Sequence, residues 1–373
     1  MARKETNFKQ TDIGLIPHDW EVKEITDIAS ISTGGQNTQD AEDGGVYPFY
    51  VRSPKVERIN SYLYDTEGVV TAGDGVGVGK VFHYVNGKFG LHQRCYLIHR
   101  FEGVWAKYFY MYFSLQFYNR VMSMTAKSSV DSVRRDMIAH MLIPVPPIEE
   151  QKRIAEVLSH FDEHIDNLAA LLEKRKQVKA ATMQALLSGT TRLPGFTAPW
   201  INKYLREITS VPRGEILVSS DFKNGPIPVI GGGTTIAGFH NKANREGKTI
   251  TISASGANAG YVSFYTMPIF ASDCCTLSEG EVYDIEYLYQ YLRSVQNDIY
   301  RMQTGGAQPH IYPKDIESLW ISMPASVTEQ SAIASVLSNI DRGIEALEEQ
   351  IEKYRQMKEG AMEELLTGKV RLI

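Results

Sequence analysis

Residues 149–193 read EEQKRIAEVLSHFDEHIDNLAALLEKRKQVKAATMQALLSGTTRL, and their apolar side chains are spaced for one long helix. Ile154, Leu158, Phe161, Ile165, Leu168 and Leu172 alternate steps of four and three, a narrow seam of coiled-coil type. After the Lys174-Arg175-Lys176 interruption the pattern resumes at Val178, Met183, Leu186 and Leu187. It stops at Gly189, a residue suited to a left-handed helix terminus. Residues 330–372 repeat the stretch as QSAIASVLSNIDRGIEALEEQIEKYRQMKEGAMEELLTGKVRL, with the seam at Ile333, Leu337, Ile340, Ile344, Leu347 and Ile351. A shift of 179 makes Gln151/Gln330, Leu158/Leu337, Asp162/Asp341, Glu173/Glu352, Lys174/Lys353, Met183/Met362, Gly189/Gly368 and Arg192/Arg371 identical. Shared helix composition does not supply such a register.

The duplication extends outside the helices. Near a shift of 180, Trp20 meets Trp200, Lys23 meets Lys203, Ile28 meets Ile208, Gly34 meets Gly214 and Pro48 meets Pro228. Gly75, Gly79, Val81 and Cys95 then fall on Gly256, Gly260, Val262 and Cys275. The chain reads as a tandem: a globular segment over 1–148, a long helix over 149–193, a second globular segment over 194–328 and a second long helix over 329–373. The helices agree at many positions and the globular parts only at scattered ones. The helices therefore share one job, and the globular parts keep a scaffold while differing in what they touch.

With 373 residues, 43% of them apolar, the chain can bury two or three cores. No run approaches the roughly 20 apolar residues that span a bilayer, and the amino end lacks a signal peptide's apolar core, so a cytoplasmic location is expected. Cys95, Cys274 and Cys275 form no CxxC pair and read as buried thiols of a reducing compartment. A net charge of −5 argues against a strongly basic nucleic-acid binder on average. Residues 1–148 balance 16 basic against 16 acidic side chains while 329–373 carry 6 and 9, which leaves room for a local basic face on the first segment.

Short β-rich runs at 46–51, 68–73, 80–85 and 95–99, then a helix over 104–124, make up the first globular segment. The second repeats the order at 227–231, 248–254 and 261–265, with a helix over 285–302. Each leaves through a proline-bearing stretch into its long helix. The fold class expected is α+β.

Several motifs fail their chemical tests. TAGDGVGVGK (71–80) lacks the glycine spacing and the Ser/Thr of a phosphate loop, yet such a glycine turn still lets backbone amides, with Lys80 beside them, approach a DNA phosphate. In VPPI (145–148) valine cannot accept an amino hydrogen bond and isoleucine offers no stacking face, so no methyl transfer is assigned to it. Glu246-Gly247-Lys248 has no partner aspartate motif, and the histidines have no metal-ligand spacing. No catalytic or metal constellation is found. The loops before each long helix differ in kind: 125–138 concentrates Lys127, Ser128, Ser129, Arg134 and Arg135, and 303–316 carries Gln303, Thr304, Gln308, His310 and Lys314. Most are side-chain types that bond phosphates and base edges, and each could equally order the junction between domain and helix.

These parts together resemble the specificity (S) subunit of type I restriction-modification systems over essentially the whole chain. The marks are PPIEEQKRIAEVL followed by LLSGTTRLPGF, EQSAIASVL followed by LLTGKVRL, and TGGAQPHIYPKDI closing the second segment; the first segment departs from that last motif, reading TAKSSVDSV. The resemblance implies two target-recognition domains alternating with two helices packed as an antiparallel coiled coil about a pseudo-twofold axis. In full antiparallel overlap the seam residues Leu158, Ile165, Leu168, Leu337, Ile344 and Leu347 are expected to be buried, with Leu158 near Met357 and Leu337 near Val178. It implies double-stranded DNA as ligand, read as a bipartite asymmetric target. Methyltransferase (M) and restriction (R) subunits are the implied partners, with S-adenosylmethionine, ATP and Mg²⁺ held there and no cofactor in this chain. A coiled-coil assembly protein without DNA specificity is the second reading. An enzyme is the third, and would need a cofactor site that the sequence does not display.

Overall fold

The computed structural model describes residues 7–75, 77–124 and 132–373. The chain forms two compact units, Met1–Leu168 with Gln350–Ile373, and Ala169–Glu349. Each unit takes one globular segment together with part of both long helices, Ile148–Leu187 and Val327–Leu365. The compact units thus share the helices between them, whereas the sequence divides the chain at the helix ends.

Within the first unit, strands Glu21–Glu24 and Leu142–Val145 pair antiparallel with Lys23 opposite Ile143. Within the second, Trp200–Tyr204 and Trp320–Pro324 do the same with Lys203 opposite Ile321. The chain therefore leaves each globular segment beside the place where it came in, directly ahead of a long helix. Strand Gly68–Ala72 is buried throughout and lies between Cys95–His99 and Phe82–Val85. Its counterpart Thr249–Ser253 lies between Cys274–Ser278 and Val262–Tyr265. A second sheet in each unit is built on a parallel pair, Tyr47–Tyr50 with Lys88–Leu91 and Ile227–Ile230 with Phe270–Ala271. The aromatic helix Ala106–Ser123 faces the first core with Tyr108, Phe109, Phe113 and Phe117 fully buried. In the second unit the helix expected over 285–302 is two, Ile285–Ser294 and Gln296–Arg301, parted at Val295. Gln296 Oε1 accepts from the Val262 amide there and its Nε2 donates to the Gly260 carbonyl, tying the break to the neighbouring strand.

Identical residues of the repeat hold each long helix in place. Gln151 is fully buried; its Nε2 donates to the carbonyls of Pro146 and Gly103, and its Oε1 accepts from Trp105 N–H. Gln330 does the same with the Pro324 carbonyl and the Asp284 amide. The helices end at Gly189 and Gly368, both at φ +73, and Thr191 and Val370 amides cap the carbonyls of Ala185 and Glu364. Arg371 then reaches buried Glu150 at 2.7 Å under the ring of Trp20, and Arg192 reaches buried Glu329 at 2.6 Å beside Trp200.

In the first unit Lys358 meets Asp162 at 2.5 Å and His164 meets the Tyr354 ring; in the second Lys179 meets Asp341 at 2.5 Å and Lys176 meets Glu348 at 2.9 Å. Within each unit the two helix segments thus run antiparallel. Leu158 and Leu337 are fully buried, Leu168 and Ile344 nearly so, and Ile165 and Leu347 are half-buried. The expected partners are corrected: Met357 and Val178 are 46% and 44% exposed. Leu158 lies in the cluster flanked by Ala361, Met362 and Leu365, and Leu337 in the one containing Met183, Leu186 and Leu187. The pairing sits about one helical turn further along than full overlap assumed, the setting at which these ion pairs and apolar contacts form.

Candidate nucleic-acid interface

Both globular domains build the same polar strand end. Strand Gly68–Ala72 runs into Gly73, Asp74 and the glycine turn, with positive φ at Gly75 (+79) and Gly79 (+67). Strand Thr249–Ser253 runs into Ala254 and Ser255, with positive φ at Gly256 (+78) and Gly260 (+90). Left-handed backbone of this kind is open to glycine at no steric cost. The loop that precedes each long helix docks here by one shared bond: Val133 N–H donates to the Gly73 carbonyl at 2.7 Å and Ile311 N–H to the Ala254 carbonyl at 3.0 Å.

Charged side chains gather beside these turns. In the first domain Asp74 accepts from Arg52 Nη1 at 2.6 Å and from Arg94 Nη1 at 2.7 Å, one on each oxygen. Partial burial pushes the Asp74 carboxyl up, but the two guanidiniums outweigh it and hold the group below the usual carboxylate range. A cleft of about 290 Å³ opens here, lined by Thr33, Gly73, Asp74, Arg94, Tyr96 and Ser132. In the second domain Arg213 Nη2 donates to Asp273 at 2.9 Å and Ser255 Oγ donates to the other Asp273 oxygen.

The residues singled out by sequence reach this region unequally. Lys80 is exposed at the end of the glycine turn, its Nζ 5.6 Å from the Tyr118 ring centre. Arg134 and Arg135 are exposed directly after Val133, at the start of helix Arg135–Ala139. Lys127, Ser128 and Ser129 lie outside the described residues. Thr304 and His310 exchange backbone hydrogen bonds across their loop, and His310 bridges to Ser255. Gln308 is exposed, and Lys314 is exposed with its Nζ 5.9 Å from the Tyr312 ring. Gln303 is turned to internal use, its Nε2 donating to the Ala259 carbonyl at 2.7 Å. Sequence reasoning missed Arg52, Arg94, Arg213 and Asp273, which sit in no motif; comparing the two halves residue by residue in the structure brings them out.

One pairing differs from the expected one. Gly34 N–H donates to the Cys95 carbonyl and Gly214 N–H to that of Cys274; Cys95 faces Ala72 and Cys274 faces Ser253. Cys274, rather than Cys275, is therefore the counterpart of Cys95. Among the described residues no group of three or more His, Cys, Asp or Glu is placed to hold a metal ion, and no helix is long and apolar enough to cross a membrane.

The chain matches the family model of the type I restriction modification DNA specificity domain twice, over residues 17–177 and 198–354. It is 28% identical over 418 aligned positions to a Methanocaldococcus jannaschii protein assigned as the MjaX type I restriction enzyme specificity subunit, covering 99% of this chain and 98% of that one. The MjaVIII specificity subunit of the same organism is 24% identical, covering 99% and 97%. The EcoDI specificity subunit of Escherichia coli is 30% identical over 176 positions, covering 47% and 38%. In fold, the chain resembles the crystal structure of a type I restriction-modification S subunit from M. genitalium, with a TM-score of 0.72, 19% identity and coverage of 96% and 97%.

Proposed function

Because the chain belongs to the type I restriction-modification DNA specificity family, we propose that it is the sequence-reading subunit of such a complex, each globular domain reading one half of a bipartite, asymmetric DNA target. The observation that carries this reading is the double match of the family model, one match to each repeat. The shared strand end supports it, since both domains bring a glycine turn and a polar loop to one place while changing the side chains there. The unread gap between half-sites is set by the long helices, the first of which, at 40 residues, spans about 60 Å. Chemistry belongs to partners. Methyltransferase (M) subunits bind S-adenosylmethionine and take the target adenine out of the stack, and ATP- and Mg²⁺-dependent restriction (R) subunits cut. This chain selects the site at which they act.

Methylome sequencing of cells expressing the chain with its methyltransferase partner tests the proposal, before and after residues 20–143 are exchanged for the matching domain of a relative. The expected result is one bipartite motif in which the exchange alters one half and leaves the other. A pattern without sequence preference would favour an assembly protein, and simultaneous change of both halves would remove the assignment of one half-site per domain.

A further inference from the structure

One contact at the shared strand end is chemically inverted between the domains. Gly73 N–H donates to the Arg94 carbonyl at 2.8 Å, and Ala254 N–H donates to the Asp273 carbonyl at 3.1 Å, which makes Arg94 and Asp273 backbone counterparts. Asp74 and Ser255 follow Gly73 and Ala254 and are counterparts likewise. The side chains at these two positions touch in both domains: Arg94 with Asp74 at 2.7 Å, and Ser255 with Asp273. The backbone is kept, but a guanidinium that only donates is exchanged for a carboxylate that only accepts. Each carboxylate keeps an arginine partner, Arg52 for Asp74 and Arg213 for Asp273, while the polarity at the Arg94 and Asp273 positions changes on a fixed backbone. A contact that reads different bases in two half-sites is expected to change in this way.

We propose that Arg94, oriented by Asp74, reads a guanine in the half-site of the first domain. Its side chain is 59% exposed while that of Asp74 is 22% exposed, so the carboxylate is the anchored member of the pair. Asp74 is fixed further by Arg52 on its other oxygen. Only Nη1 of Arg94 is engaged among the described residues, which leaves Nε and Nη2 as an open fork. A guanidinium fork matches the O6 and N7 acceptors of guanine in the major groove, and holding it in place beforehand reduces the ordering cost of binding. Asp74 acts as a positioning residue. The inference rests on the DNA-reading function proposed above.

The test uses the full chain assembled with its methyltransferase partner. Duplexes carry the wild-type motif with each base pair replaced in turn, and the first half-site is identified by the exchange of residues 20–143. Arg94→Gln should reduce discrimination at one G·C pair of that half-site by about tenfold or more. Arg94→Lys, which keeps the charge and loses the fork, should fail at the same pair. Asp74→Asn should broaden that pair and no other. Preserved preferences at the second half-site report a folded complex. A first half-site without a G·C pair, or unchanged discrimination in both Arg94 variants, would overturn the assignment. So would uniform weakening on every duplex with a shallower salt dependence, the signature of a phosphate contact. A wild-type complex that prefers no bipartite sequence would instead remove the function on which the assignment depends, and the assignment with it.

Discussion

Cys95, Cys274 and Cys275 are fully buried, and burial pushes the first two thiols up to about 12 and the third to about 11. The thiolate is the reactive form, so these groups are inert in the folded protein. Ellman's reagent at pH 8 should find no cysteine in the native chain and three after denaturation; fast labelling of the native protein would mean that these strands open readily. The burial of the cysteines was legible from their type and spacing, but their pairing was not. Three steps separate His92 from Cys95, whereas two separate Ser272 from Cys274, and both His92 and Ser272 donate to the neighbouring parallel strand. A constant shift along the sequence cannot register a single residue lost in a turn. The same lost residue hid the correspondence of Arg94 with Asp273. Gln151 and Gln330 were visible as identities, yet their role needed Trp105 and Asp284, over forty residues away in sequence, to be brought alongside.

The two long helices were legible almost in full, because apolar periodicity and a terminal glycine are local signals. Their register was not. A seam that repeats every seven residues fits nearly as well when moved by a turn, and the observed setting is the one at which Asp162 meets Lys358 and Asp341 meets Lys179. The corrected setting makes unequal demands on residues of similar character. Leu158→Ala removes a fully buried side chain and should cost about 2–5 kcal/mol, whereas Met357→Ala, at an exposed position, should stay within about 0.5 kcal/mol. Urea unfolding of the two variants checks this. Equal losses would restore the full-overlap register and contradict the ion-pair setting.

At the scale of the whole molecule the chain is one design made twice, with a Glu–Arg pair beside a tryptophan joining the start of each long helix to the arginine that follows the other. Domain exchange and Arg94 substitution test what each half reads. If the long helices set the gap between the half-sites, as proposed, the spacing of the methylated motif reports their length. Four residues, about one helical turn, inserted after Leu168 and again after Glu349 fall at the junctions between the compact units and leave the ion pairs within each unit in register. Such a change lengthens each helix by about 6 Å, close to two base pairs at roughly 3.4 Å each. Methylome sequencing should then return both half-sites unchanged with a gap about two base pairs longer. Methylation confined to the original spacing would contradict a helical ruler.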